Sequence, residues 1–256
     1  MWNAIARDVS SALGRCELSH IPREPIDVVR ARMQHRDYLR ALESGGCHVQ
    51  TLPEEGEMPD SVFVEDVAIV LDEVAVLTRP GAPSRRPEVA SVAALLGQHR
   101  PLLAIEAPAT LDGGDVLRIG RTLYVGQSAR SNPDGIAQLR ELLVPFGYVV
   151  EAVITRHCLH LKSAVTALSD DSVLLQPAWV DRGHFAKFGV IEVDPAEPHA
   201  ANVLRIGDTL IMPAGFPRTR QRLLDAGFKV AVVDVSELQK AEGAVTCCSL
   251  VFRSMA

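Results

Sequence analysis

The sequence predicts an α/β fold in which five similar ββαβ units close into a pseudo-symmetric ring, and three observations lead to it. A strand, tight turn, strand pattern recurs at intervals of about 42 to 49 residues, a period at which repeat architectures must be considered. Helical spacing follows the hairpin in the copies, which argues against an all-β propeller of the WD40 kind, as does the lack of Gly-His and Trp-Asp pairs. The last copy, Cys247 to Arg253, has only its first strand, and the N-terminal segment can supply the missing second strand and helix.

Each element follows from local pattern. Val28, Val29, Met33, Tyr38, Leu39 and Leu42 recur at helical spacing from Pro25 to Ala41, and Gly45-Gly46 is the stop. Cys47 to Leu52 reads as a strand. Two strands, Val67 to Leu71 and Val74 to Thr78, hinge at Asp72-Glu73, and a Pro- and Gly-rich turn from Arg79 to Pro87 leads to a helix from about Glu88 to Leu96. Asp115 to Gly126 repeats the hairpin, followed by a polar loop around Arg130 and a helix from Pro133 to Phe146. Ala164 to Gln176 turns at Asp170-Asp171. Asn202 to Pro213 is a fourth hairpin, with a helix from about Thr219 to Ala226 and a strand from Lys229 to Val233.

Composition narrows the function. A hydrophobic fraction of 47% and a charged fraction of 23% suit a globule with a sizeable core. The net charge of −6 and the lack of a basic run argue against a nucleic-acid or anionic-membrane surface. No run of about 18 apolar residues occurs, and the N-terminus lacks a basic segment followed by an apolar core, so a cytoplasmic protein is expected. Five cysteines in a chain of this size point to reduced thiols, and without a CxxC pair no structural zinc site is expected.

Alignment of the copies on the first hairpin strand puts Asp66, Asp112, His160, Asn202 and Cys247 at matching positions, just before each strand. A ring converges such positions on one central cavity. Cys247, in a Gly-containing loop at a strand mouth, is read as a reactive thiol, and Cys248, on the opposite face by strand alternation, as a buried structural one. His160 is the side chain suited to proton transfer near neutral pH. The other histidines are read as surface or structural. Asp60, Glu65 and Asp66, with Asp112, would repel anions and favour a delocalised planar cation. Arg85 and Arg130 follow the second strand of their copies and suit a substrate carboxylate. A cationic head with a carboxylate tail describes an arginine derivative.

With these residues assembled, the chain resembles the dimethylarginine dimethylaminohydrolases, members of the guanidine-modifying superfamily that also holds arginine deiminase and the amidinotransferases. The resemblance rests on DSVFVED (Asp60 to Asp66), RPGAPSRR (Arg79 to Arg86), LDGGDVL (Leu111 to Leu117), HLKS (His160 to Ser163), AAN (Ala200 to Asn202) and TCCS (Thr246 to Ser249), in order over nearly the whole length. It implies a five-bladed α/β propeller, with one catalytic domain over residues 1–256. It also implies Cys247 as nucleophile, His160 as general acid/base, and Asp66 with Asp112 on the guanidinium. Asp60 would hold the α-amine, helped by the backbone carbonyls of Leu18 and Ala241. Arg85 and Arg130 would take the α-carboxylate, and Glu65 would support the site. The segment around Leu18 is a mobile lid in that family.

The resemblance further implies hydrolysis of methylated arginines to citrulline and methylamines with no metal or organic cofactor, in a monomer or homodimer that acts on a small molecule. An arginine deiminase or amidinotransferase using the same residues is the nearest rival. A non-catalytic methylarginine binder is a rival of another class.

Overall fold

The computed structural model describes residues 1–254. In chain order its elements are β1 (Trp2–Arg7), α1 (Val28–Ser44), β2 (Cys47–Leu52), β3 (Ala68–Val70), β4 (Ala75–Leu77), α2 (Val89–Leu96) and β5 (Leu102–Ala104). There follow β6 (Val116–Ile119), β7 (Thr122–Gln127), α3 (Pro133–Leu143), β8 (Val149–Ile154), α4 (Leu161–Ala164), β9 (Val165–Ala167), β10 (Ser172–Leu175) and β11 (Gly189–Glu192). The last are β12 (Leu204–Ile206), β13 (Thr209–Pro213), α5 (Pro217–Asp225), β14 (Lys229–Val233), α6 (Ser236–Gln239) and β15 (Leu250–Arg253).

The strands form five three-stranded sheets, ordered β3-β4-β5, β6-β7-β8, β9-β10-β11, β12-β13-β14 and β15-β1-β2. In every sheet the first pair is antiparallel and the second parallel, the signature of a hairpin followed by a crossover. The fifth sheet joins the chain's ends: β15 pairs with β1 from Trp2 opposite Arg253 to Ile5 opposite Leu250. Residues of β3, β6, β9, β12 and β15 together line one axial channel of about 520 Å³. The fold is therefore the five-bladed α/β propeller, closed by its own termini as expected.

Local chemistry explains the blades. Ile119 and Thr122 are joined by Gly120-Arg121, and Ile206 and Thr209 by Gly207-Asp208; the first turn residue has φ of 60° and 56° respectively, which glycine adopts without a Cβ clash. Neighbouring blades meet at these turns through matching ion pairs, Arg118 on Asp72 and Arg205 on Asp170, exposed and worth about 0–1 kcal/mol each. Asp27 caps α1 by accepting from the Arg30 N–H, and Ala31, Gln34, His35, Tyr38 and Leu42 form its buried stripe. Asn132 caps α3 by accepting from the Gly135 N–H, with Pro133 in the first turn.

One expectation fails. Between β10 and β11 there is no α-helix, only a 3-10 turn at Arg182–Phe185. Pro177 and Gly183 interrupt the segment, and in place of an amphipathic stripe Phe185 packs on Tyr124, ring centroids 5.0 Å apart. No helix among the described residues is long and apolar enough to cross a membrane.

Candidate active site

The five positions aligned in the sequence lie at the channel's end where the first strands begin. Asp66 is on a 3-10 turn, Val64–Val67, just ahead of β3, and Asp112 precedes another, Gly113–Asp115, ahead of β6. His160 directly precedes α4, ahead of β9, and Cys247 ends a turn in which its N–H donates to the Ala244 carbonyl at 3.2 Å. Asp60, Asp66, Arg85, Arg130, His160, Ala241 and Cys247 line one small cavity of about 20 Å³, room for roughly one water.

Its electrostatics are those of an ion-pair cluster. His160 Nε2 is 3.1 Å from Asp112 Oδ2, and Nδ1 is 3.7 Å from Asp66 Oδ1. Burial alone would lower the imidazole pKa, but Asp66, Asp112 and Asp115 outweigh it and raise it to about 9. Burial would raise Asp66, yet His160 and Arg85 hold it at about 2. Burial, with Glu65 and Asp66 nearby, pushes the Cys247 thiol up to about 12. The resting site thus pairs a neutral thiol with an imidazolium and a carboxylate. Its sulfur accepts a hydrogen bond from the Ala244 N–H at 3.4 Å.

Asp112 is fully buried, with Oδ1 accepting from the Gly81 N–H at 2.8 Å and Oδ2 facing His160. It stands behind the imidazole instead of lining the cavity wall. Arg85 is equally committed: Nη1 donates to Asp66 at 2.5 Å, Nη2 to Glu88 and to the Asp60 and Phe63 carbonyls, and Nε to Glu88. Of its five N–H groups one, on Nη1, remains for a ligand. Arg130 makes one side-chain bond among the described residues, Nη2 to Ser19 Oγ at 3.3 Å.

Leu18 is half-buried on the segment that covers the cavity. That segment is tied down on several sides. Asp60 Oδ2 accepts from the Glu17 N–H at 3.1 Å, Ser84 Oγ donates to Glu17, and the Glu242 carboxylate accepts from the N–H groups of Ser19, His20 and Ile21. Glu242 holds φ at 58°, a costly conformation for a residue with a Cβ.

Several contributors escaped the reading of the sequence. Lys162 Nζ is 2.5 Å from Glu65, whose other oxygen accepts from Thr246 Oγ1 at 2.9 Å. Glu65, Lys162 and Thr246 line the channel, while Asp66, His160 and Cys247 line the cavity, so adjacent residues face opposite sides of a plug that divides the two. Asn202, aligned with the chemical groups, instead supports this plug: its Oδ1 accepts from the Thr246 N–H at 3.1 Å and its Nδ2 donates to the Lys162 carbonyl. Lys162 was within reach of sequence reasoning because it lies in the HLKS motif. Glu242 carried no signal beyond its neighbour Ala241. Asp66, Asp112 and His160 also bring potential metal-ligand atoms within 4.8 Å of one another, but those atoms are already engaged with protein groups.

The arginine deiminase family model matches residues 54–205. The dimethylarginine dimethylaminohydrolase of Streptomyces coelicolor is 40% identical over 98% of this chain and 97% of its own. That of Pseudomonas aeruginosa is 37% identical over 88% and 90%. The chain belongs to the dimethylarginine dimethylaminohydrolase family. Two solved structures of dimethylarginine dimethylaminohydrolase superpose closely. A cysteine-to-serine variant of the Pseudomonas aeruginosa protein complexed with citrulline gives a TM-score of 0.94 at 35% identity, covering 98% of this chain and all (100%) of that one. A histidine-to-glycine variant, as an adduct with S-methyl-L-thiocitrulline, gives 0.93 at 36% identity with the same coverage. In this member of the dimethylarginine dimethylaminohydrolase family, Cys247 is half-buried and opens on the cavity while Cys16, Cys47, Cys158 and Cys248 are buried; all five are free.

Proposed function

We propose that the protein hydrolyses Nω-methylated arginines to citrulline and methylamines through a covalent adduct on Cys247. The observation that carries this reading is the convergence of a thiol, an imidazole and a carboxylate on one small cavity that Arg85 and Arg130 also line. Family membership and the ligands named for the superposed structures support it.

Asp66, ionised at any physiological pH, takes the guanidinium by charge-assisted hydrogen bonds. Asp112 holds His160 by Nε2 from behind, outside the cavity wall, and so orients the imidazole toward the bound cation. Asp60 and the carbonyls of Leu18 and Ala241 take the α-amine; Arg130, with the free Nη1 N–H of Arg85, takes the α-carboxylate. Glu65, held by Lys162 and Thr246, keeps the neighbouring Asp66 in place. An arginine-sized molecule exceeds the cavity, so entry requires displacing the segment around Leu18.

A bound cation beside the sulfur favours the thiolate, and the thiol proton passes to solvent on binding. The thiolate attacks the central guanidinium carbon, the C–N bond to the methylated nitrogen breaks, and His160 gives its proton to the departing amine. Neutral His160 then takes a proton from water, which attacks the thiouronium carbon; the C–S bond breaks and citrulline leaves. The sulfur, released as thiolate, takes back a proton from solvent as citrulline leaves.

Citrulline release from dimethylarginine, monomethylarginine and arginine side by side tests the proposal. Turnover of the methylated substrates over arginine is expected, abolished by Cys247→Ser and by His160→Gly and retained in Cys248→Ser. Full activity in Cys247→Ser overturns it. Preference for arginine would favour the deiminase reading that the family model's description supports. Reduced cysteines fit action in the cytoplasm, and sedimentation separates the monomer from the homodimer.

A further inference from the structure

We infer that Asp115 is a positioning residue that holds His160, Asp112 and the Arg130 loop in one register through a single buried carboxylate. The inference rests on the proposed reaction only for what these three groups do.

Asp115 is fully buried at the end of the Gly113–Asp115 turn, and it lines neither the cavity nor the channel. Its Oδ1 accepts from the N–H of Leu161 at 2.9 Å, which anchors the residue directly after His160. Its Oδ2 accepts from two hydroxyls, Ser128 Oγ at 2.6 Å and Ser131 Oγ at 2.7 Å. Each serine passes the constraint on. Ser131 Oγ accepts from the Asp112 N–H at 3.0 Å, and Ser128 Oγ accepts from the N–H groups of Arg130 at 3.0 Å and Ser131 at 3.2 Å.

The bonds close a circuit. From Asp115 the path runs through Leu161 to His160, across Nε2 to Asp112 Oδ2, from the Asp112 N–H to Ser131, and back to Asp115. The acid/base and its partner carboxylate sit on different blades, and Asp115 is the group that ties both to the loop bearing the carboxylate anchor. Room for it is built into the adjacent strand: a Cβ at Gly126 would lie 2.6 Å from Asp115 Oδ1 and 2.9 Å from Leu161 Cβ. A charged acceptor of three hydrogen bonds is a stiff connector, whereas an amide must set its NH2 either against the two hydroxyls or against the Leu161 N–H.

The two arms are separable. Ser128→Ala cuts the path to Arg130 and is expected to raise KM for dimethylarginine about threefold or more with kcat nearly unchanged, because an anchoring contact is lost. In an Arg130→Ala background the same change should leave KM unmoved. Ser131→Ala cuts the path to Asp112 and is expected to lower kcat about tenfold with KM nearly unchanged. Asp115→Asn should do both, and in the NMR spectrum it should shift the imidazole 15N resonances of His160, a readout independent of turnover. A purely structural Asp115 would lower the folded fraction and move neither KM nor the resonances. Wild-type kinetics in both serine variants, an undiminished Ser128→Ala effect without Arg130, or unmoved His160 resonances overturns the inference. Failure of the wild type itself to release citrulline would sink the proposed reaction, leaving the resonances to decide the inference.

Discussion

The resting state of Cys247 is open to direct measurement. Its thiol is raised from about 9 to about 12 by burial and by Glu65 and Asp66, a bias of about 4 kcal/mol against the thiolate. At pH 7.5 a thiol with the ordinary value is thiolate to about three parts in a hundred, and one at about 12 to roughly three in a hundred thousand, a thousandfold difference. A more basic thiolate is the better nucleophile by roughly twentyfold over such a range, which leaves alkylation about fiftyfold slower than for an ordinary thiol. The assay is inactivation by excess iodoacetamide between pH 6 and 8, with the modified peptide identified by mass. The rate should rise tenfold per pH unit throughout and localise to Cys247, the cysteine that is not buried. Opening of the covering segment in rapid pre-equilibrium scales the rate without altering that slope. A plateau below pH 7 would mean a thiolate in the free protein and would refute a neutral resting thiol, and with it the role given to the substrate's charge.

Two further outcomes follow from packing and from unspent donors. A Cβ at Gly114 would sit 2.4 Å from His160 Nδ1 and 2.7 Å from Asp66 Oδ1, so Gly114→Ala should displace both groups and lower kcat about a hundredfold or more; near-normal turnover would show that the imidazole is not held as described. Arg130, with a single 3.3 Å bond to Ser19, is the guanidinium with donors to spare, so Arg130→Ala should raise KM more than it lowers kcat in steady-state assays, and an unchanged KM would remove it from the carboxylate site.

Much of the molecule was legible in one dimension because the repeat is a local pattern. Strand, two-residue turn and strand recur with glycine at the same turn position, as at Gly120 and Gly207, and the missing half of the last copy implied closure by the N-terminus, which β1 and β15 provide. Where the pattern lapsed the expectation lapsed too. The connection from β10 to β11 carries Pro177 and Gly183 and packs through Phe185, so its compact turn answers to Tyr124 on another blade, out of reach of a period count.

The sequence by itself determined the ring and the matched positions of Asp66, Asp112, His160, Asn202 and Cys247, because repeat register is a short-range property; Cys247 and Cys248 lie in a turn ahead of β15, so their different burial is set there and not by alternation along a strand. Tertiary structure alone decided what those positions do. It put Asp112 behind His160, spent all but one of Arg85's donors on carboxylates and carbonyls, turned Asn202 to the Lys162–Glu65 plug, and gathered Asp115, Ser128 and Ser131 into one support. Spacing counts residues and so finds where groups converge. Which donor meets which acceptor, and how far burial moves a proton, depends on atoms brought together from different blades.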